Sequence, residues 1–192
     1  MRVGIRLLVP ALLAVTAVPA LGEKPVLNGA AALCMQARAD VELGPVAIGL
    51  ALARAGLGGD GSVATRDAIE PVMVAILEQC IQAHGLPDGN PRTIGGYLIA
   101  RATRIEAGRR LAMQGISADW LDGALAGKQG ETGAEFRQVA KKILARMKQD
   151  RPAGLGIDAT GPDTRSRTTA ELVYAYAAGA LSAERIGAQL RP

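Results

Sequence analysis

Large aromatic side chains are almost missing from this chain, and that scarcity limits the folds open to it. One Trp, one Phe and three Tyr serve 192 residues, although 49% of the sequence is hydrophobic. The apolar content is therefore mainly Ala, Leu, Ile and Val, interspersed with 24 glycines. Strand-rich domains draw on β-branched and aromatic residues for their packed faces. Small and aliphatic side chains instead suit helices that approach one another closely. The expected class is all-α, with Trp120 and Phe136 largely buried because the core has few other large groups.

Helix punctuation follows the same expectation. Asn28 is placed to cap a helix over 29–40, and Gly44-Pro45 opens a second that ends in the glycine-rich run 56–61. A third helix is predicted over 65–84, with Pro71 inside it and Gly85 as its stop. Asn90-Pro91 supplies a cap and a first-turn proline for a fourth, 91–113. Ser117 caps a fifth, 118–126. Thr132 opens the clearest amphipathic segment: Phe136, Val139, Ile143 and Met147 share a face, with Arg137, Lys141, Lys142 and Arg146 around the rest. Residues 151–167, rich in Gly, Pro, Asp and Thr, read as a linker. Thr168 and Glu171 have the capping-box spacing for a helix to Leu181, and Ser182 is placed to cap a last short one. Seven or eight helices are expected, divided between a helical domain over 23–113 and a looser helical extension over 114–192.

The N-terminus carries an address. Arg2 and Arg6 precede an apolar run from Leu7 to Val18, and Ala20-Leu21-Gly22 offers small residues at a cleavage point. Those are the parts of a secretory signal peptide over 1–22, and the run is too short to span a bilayer. A retained N-terminal anchor is the alternative. An exported chain of this type resides in the periplasm of a bacterial envelope, where thiols oxidise. Cys34 and Cys80 are the two cysteines, and one internal disulfide is their simplest state, against two buried thiols or an intermolecular bridge. Closing the chain between them stabilises it by roughly 4 kcal/mol on the chain-entropy account.

Charge excludes one class of partner. Lys and Arg number 22 against 18 Asp and Glu, and two of those arginines lie in the signal segment. The remaining excess is small and nowhere forms a dense basic block, so nucleic acid is not an expected partner. Residues 114–125 and 179–190 resemble the second half of a helix-turn-helix, but an exported chain makes capped helical hairpins the better reading. The basic back of the 133–150 helix is compatible with an anionic membrane surface, and more simply with a solvated face.

The residues that carry catalysis are sparse. His84 is the single histidine and sits at a helix end, where it favours the dipole. No serine lies in a nucleophile elbow, and no His/Cys cluster has metal-ligand spacing. Carboxylate pairs such as Asp67/Glu70 and Asp119/Asp122 fall in first turns of helices, where the dipole accounts for them. Neither an enzyme nor a cofactor is expected.

Cys34, the segment PVAIGLALA at 45–53, the apolar helix ending near Cys80 and the step from Pro91 to Thr93 resemble the HdeA-type periplasmic acid-stress chaperones. The resemblance covers about residues 30–105. It implies a small helical fold with one disulfide, a dimer at neutral pH and an ATP-independent holdase that loosens in acid to capture unfolding proteins. Asp40, Glu42, Asp67, Glu70 and Glu78 would be the responding carboxylates. The candidate client-binding residues are Val46, Ile48, Leu50, Leu52, Val72, Val74 and Ile76; they run round more than one helix face, so some must belong to the core. The rival class is an envelope interaction protein: an adaptor, an assembly subunit or a toxin-immunity protein.

Overall fold

The computed structural model describes residues 27–57, 64–128, 132–150 and 164–190. They form seven helices and no strand: α1 (Ala30–Glu42), α2 (Gly44–Arg54), α3 (Ala64–His84), α4 (Pro91–Ala112), α5 (Ala118–Leu125), α6 (Gly133–Asp150) and α7 (Thr164–Leu190). The chain is all-α there, as its composition implies. The signal segment 1–22 and residues 151–163 of the expected linker lie outside the described residues.

Several caps act as their residue types dictate. The Asn90 side chain accepts hydrogen bonds from the backbone N–H of Arg92 at 2.9 Å and Thr93 at 3.4 Å, and Pro91 follows as the first helical residue. Ser117 accepts from Trp120 N–H at 3.2 Å. At α6, Thr132 and Glu135 cap each other reciprocally: Thr132 N–H donates to Glu135 Oε2 at 2.7 Å, and Glu135 N–H donates to Thr132 Oγ1 at 3.3 Å. α3 runs unbroken through Pro71, which faces solvent.

Two core clusters organise the packing, and α4 contributes to both. Its first half carries Ile94, Tyr97 and Leu98 into a core shared with α1, α2 and α3. Its second half carries Ala107 and Leu111 into a core shared with α5, α6 and α7. α7 packs lengthwise along α4 at very short range. A Cβ on Gly179 would lie 2.6 Å from the Arg104 backbone nitrogen and 2.8 Å from the Ala100 carbonyl oxygen. α2 approaches α4 in the same manner, since a Cβ on Gly44 would lie 2.8 Å from that of Glu106. Small residues thus set the interaxial distance, which is how a core with few aromatics reaches full density.

The disulfide joins α1 to α3: Cys34 and Cys80 are bonded at 2.03 Å with their Cα atoms 5.8 Å apart. Cys80 is fully buried, whereas Cys34 is only partly so.

Three expectations need correction. The boundary at residue 113 does not separate two cores, because Ile48 and Ala55 of the α2 region share a cluster with α5, α6 and α7, and Ala183 of α7 joins the other. Residues 164–167 belong to α7, and that helix passes through both Thr168 and Ser182 without a break. Ser and Thr favour caps only while no tertiary contact holds the backbone helical; here the packing of Ala175, Gly179 and Ala183 does so. Residues 179–190 therefore contain no turn, and the helix-turn-helix likeness fails there. Trp120 is partly buried: it packs against the second cluster on one side and holds the Arg146 guanidinium 5.9 Å from its ring centre. Phe136 is buried.

Candidate functional site

The seven residues expected to capture clients do not share a surface. Ile48, Leu50 and Ile76 are core residues, and Ile48 lies in a different cluster from the other two. Val46, Leu52 and Val72 are partly buried against those clusters. Val74 alone is exposed, at 43%. The cause is helical periodicity: alternate positions along 46–52 point to opposite sides of α2, one toward each core.

What the fold does build is an open groove. α2, α4 and α7 converge without closing, and α6 adds Phe136 at the side. The cavity measures about 320 Å³. Ala47, Leu50, Ala100 and Gly179 line its depth, and Ile99, Phe136 and Ile186 supply larger apolar walls. Arg54, the last residue of α2, and Arg185, near the end of α7, bring positive charge to it. Tyr174 and Ser182 add hydroxyls. Burial raises the Tyr174 hydroxyl above its ordinary pKa, against the pull of Arg137, so it remains a proton donor at neutral pH. Arg137 also reaches the Ala55 carbonyl at 3.4 Å. Among the described residues, no Asp or Glu lines the cavity.

Three ionic clusters surround this region. Arg104 pairs with Asp122 at 2.9 Å, and the Tyr176 hydroxyl donates to the same carboxylate at 2.6 Å, tying α4, α5 and α7 together. Burial, reinforced by Asp122, holds the Tyr176 hydroxyl well above its ordinary pKa. Asp40 accepts from Arg101 Nε and Nη2 at 2.9–3.1 Å, joining α1 to α4. Glu106 accepts from Arg109 at 2.6 and 2.7 Å and from Arg110 at 2.8 Å.

These carboxylates answer acid in opposite directions. Burial pushes the Asp40 carboxyl above its ordinary value in spite of Arg101. A carboxyl raised in the folded state favours folding below its unfolded value and loses that contribution as pH rises, so acid does not release α1 through Asp40. The hydrogen bonds from Arg109 hold the Glu106 carboxyl below its ordinary value; burial opposes them and Arg110 assists. Its contribution is present above the unfolded value and fades as pH falls through the folded one. Among the other expected responders, Glu42 pairs with Arg38 at 2.7 Å within α1, and Asp67, Glu70 and Glu78 lie at the surface of α3.

Glu106→Gln should therefore destabilise the protein at pH 7 by about 1 kcal/mol, because both arginines reach solvent and screening trims the pair. The difference from the native chain should narrow as pH falls from the unfolded carboxyl value toward the lowered folded one, where the native carboxyl also loses its charge. Urea unfolding at pH 7, 5 and 3 measures both; an undiminished gap at pH 3 would remove Glu106 from the acid response.

Among the described residues no group of three or more His, Cys, Asp or Glu is arranged to hold a metal ion. His84 ends α3 and is exposed, away from the groove lining. No described helix is long and apolar enough to cross a membrane. Arg54, Arg185 and Glu106 are not among the residues that the sequence singles out. Glu106 was within reach, since acid–base spacings of three and four with Arg109 and Arg110 mark a helical ion pair. Nothing local links Arg54 to Arg185; only the fold brings them to one cavity.

No protein-family model, curated protein or solved structure matches the chain. The resemblance of residues 30–105 to acid-stress chaperones rests on the sequence features alone.

Proposed function

We propose that this chain is a binding protein of an oxidising envelope compartment that works in its folded state, the role of an adaptor or assembly partner rather than of an unfolding holdase. The observation that carries this reading is the open groove: it offers apolar walls and positive charge with the fold intact. The residues expected to capture clients, by contrast, are divided between two cores, with Val74 alone exposed. The Cys34–Cys80 bridge and the signal-like pattern at 1–22 support the compartment. The role requires no bond to be made or broken.

The holdase is the second reading, and Glu106 favours it, because acid weakens a contact on the helix that serves both cores. Acid titration of the purified, oxidised protein separates the two. Near-ultraviolet circular dichroism, binding of an apolar-surface dye and aggregation of a denaturing client are followed from pH 7 to pH 3. The folded-state reading expects no client protection over that range. A dye-binding state at pH 3 that suppresses client aggregation would overturn it and restore the holdase.

A further inference from the structure

We infer that the outer face of α6 docks the folded protein, by lysine charge and without insertion, on a bilayer surface that carries anionic phospholipid. The inference goes beyond the folded-state binding role and uses a face separate from the groove, whose described lining contains no lysine.

The distribution of charge points to that face. The chain has 17 arginines and only five lysines, and four of the five fall between residues 128 and 148. Lys141, Lys142 and Lys148 are all exposed on α6. With Arg137 and Arg146 they give the helix five cations against two carboxylates, a net +3 in a chain whose formal total is +4. Both carboxylates are already engaged: Glu135 accepts from Thr132 N–H at 2.7 Å, and Asp150 pairs with Arg146 at 3.0 Å. Among the described residues, none pairs with Lys141, Lys142 or Lys148.

The kind of cation selects the kind of partner. Arg38, Arg101, Arg104, Arg109 and Arg110 each hold a carboxylate of this chain. A guanidinium suits such fixed pairs, whereas a lysine ammonium is a compact, strongly hydrated point charge on a flexible stem. Unpaired lysines therefore suit a diffuse anionic surface better than one fitted carboxylate of a protein.

Shape and the neighbouring ring agree. α6 buries Phe136, Val139, Ile143 and Met147 in the second core, so the folded protein offers lipid no apolar stripe there and contact is electrostatic. Its 18 residues make a convex face about 27 Å long, from which three flexible stems reach one plane. Trp120 borders this face, half-buried, with the Arg146 guanidinium 5.9 Å from its ring centre. An indole favours the boundary between head groups and water, which supports a bilayer over an acidic protein. On α5 only Asp119 opposes the attraction, since Asp122 is held by Arg104.

Vesicle sedimentation and tryptophan emission at pH 7 test this with two probes: vesicles of phosphatidylcholine alone, and the same vesicles with half the lipid replaced by phosphatidylglycerol. The oxidised protein should bind the anionic vesicles at least tenfold more tightly, and the preference should vanish as salt rises from about 20 mM to about 500 mM. Trp120 is the single tryptophan, and its emission should shift to shorter wavelength on the anionic vesicles. Binding through another part of the chain, the basic segment 1–22 included, would leave that emission unmoved and overturn the assignment. Lys141→Gln, Lys142→Gln and Lys148→Gln combined should weaken binding tenfold or more, at about fivefold per lysine. Arginine at the same three positions should preserve it. Arg92→Gln, exposed at the start of α4, should leave it unchanged. Circular dichroism checks the fold of each variant, and the two-vesicle comparison and the Trp120 shift need none. Equal binding to the two vesicles, or a folded triple-glutamine variant with native affinity, would each overturn the assignment. So would tighter binding of soluble poly-glutamate than of anionic vesicles, which would give the face to an acidic protein. The folded-state role fails separately, through client protection at pH 3, and the pH 7 titration does not depend on that outcome.

Discussion

Gly179→Ala should destabilise the protein by about 2–4 kcal/mol, even though alanine is the better helix former. In an open helix the exchange gains about 1 kcal/mol, because glycine loses more backbone freedom on folding. At position 179 the new methyl would meet the Arg104 backbone nitrogen at 2.6 Å, the Ala100 carbonyl oxygen at 2.8 Å and the Arg104 Cα at 3.1 Å. These are backbone atoms of α4, so no rotamer change relieves the contact and the two helices must part. Parting them loosens Ala175, Ala183 and Leu111 together, and with them both cores. Gly123 is the internal control. It lies in α5, and a Cβ added there would meet nothing within 4 Å, so Gly123→Ala should stabilise by about 0.5–1 kcal/mol. Opposite signs for the same chemical change, measured by denaturant unfolding, would establish that α4 and α7 meet backbone to backbone. Equal signs would mean that the contact is looser than the distances state.

That contact marks the limit of what the sequence displays. Asn90-Pro91, Ser117 and Thr132 announce helix starts through chemistry confined to three or four residues, and each starts a helix where expected. The scarcity of aromatics pointed to closely packed helices, and Gly44 and Gly179 realise that packing. Ser182 misled because its cap propensity is local, while the reason α7 continues lies across the interface on α4. Trp120 packs against a core as its size implies, but no local pattern links it to Arg146, which reaches its ring from another helix. The two cores do not divide at residue 113, because α4 is long enough to serve both and α2 and α7 each contribute to the two of them. The groove was the least legible feature. Its charge comes from the ends of α2 and α7, and its wall from α2, α4, α6 and α7, so no window of sequence contains it.

Reduction of the Cys34–Cys80 bond should lower stability by about 4 kcal/mol, and the melting temperature by roughly 8–15 °C. The bond spans 46 residues and closes a segment that holds α2 and most of α3. Its main effect falls on the unfolded chain, which it keeps from expanding. Native packing should change little, since Cys80 is already a core side chain among Met35, Ile76 and Leu98. Two measurements distinguish this account from a local packing effect. The urea m-value should rise on reduction, because a freer unfolded chain exposes more surface. Cys80→Ala should cost more than reduction of the native protein, because it removes the bridge and a buried sulfur together. Access should run through the half-buried Cys34, so reduction should be faster from the folded state than full burial of both sulfurs would allow. An unchanged melting temperature after complete reduction, verified by thiol counting in denaturant, would show that α1 and α3 are held by their side-chain packing alone.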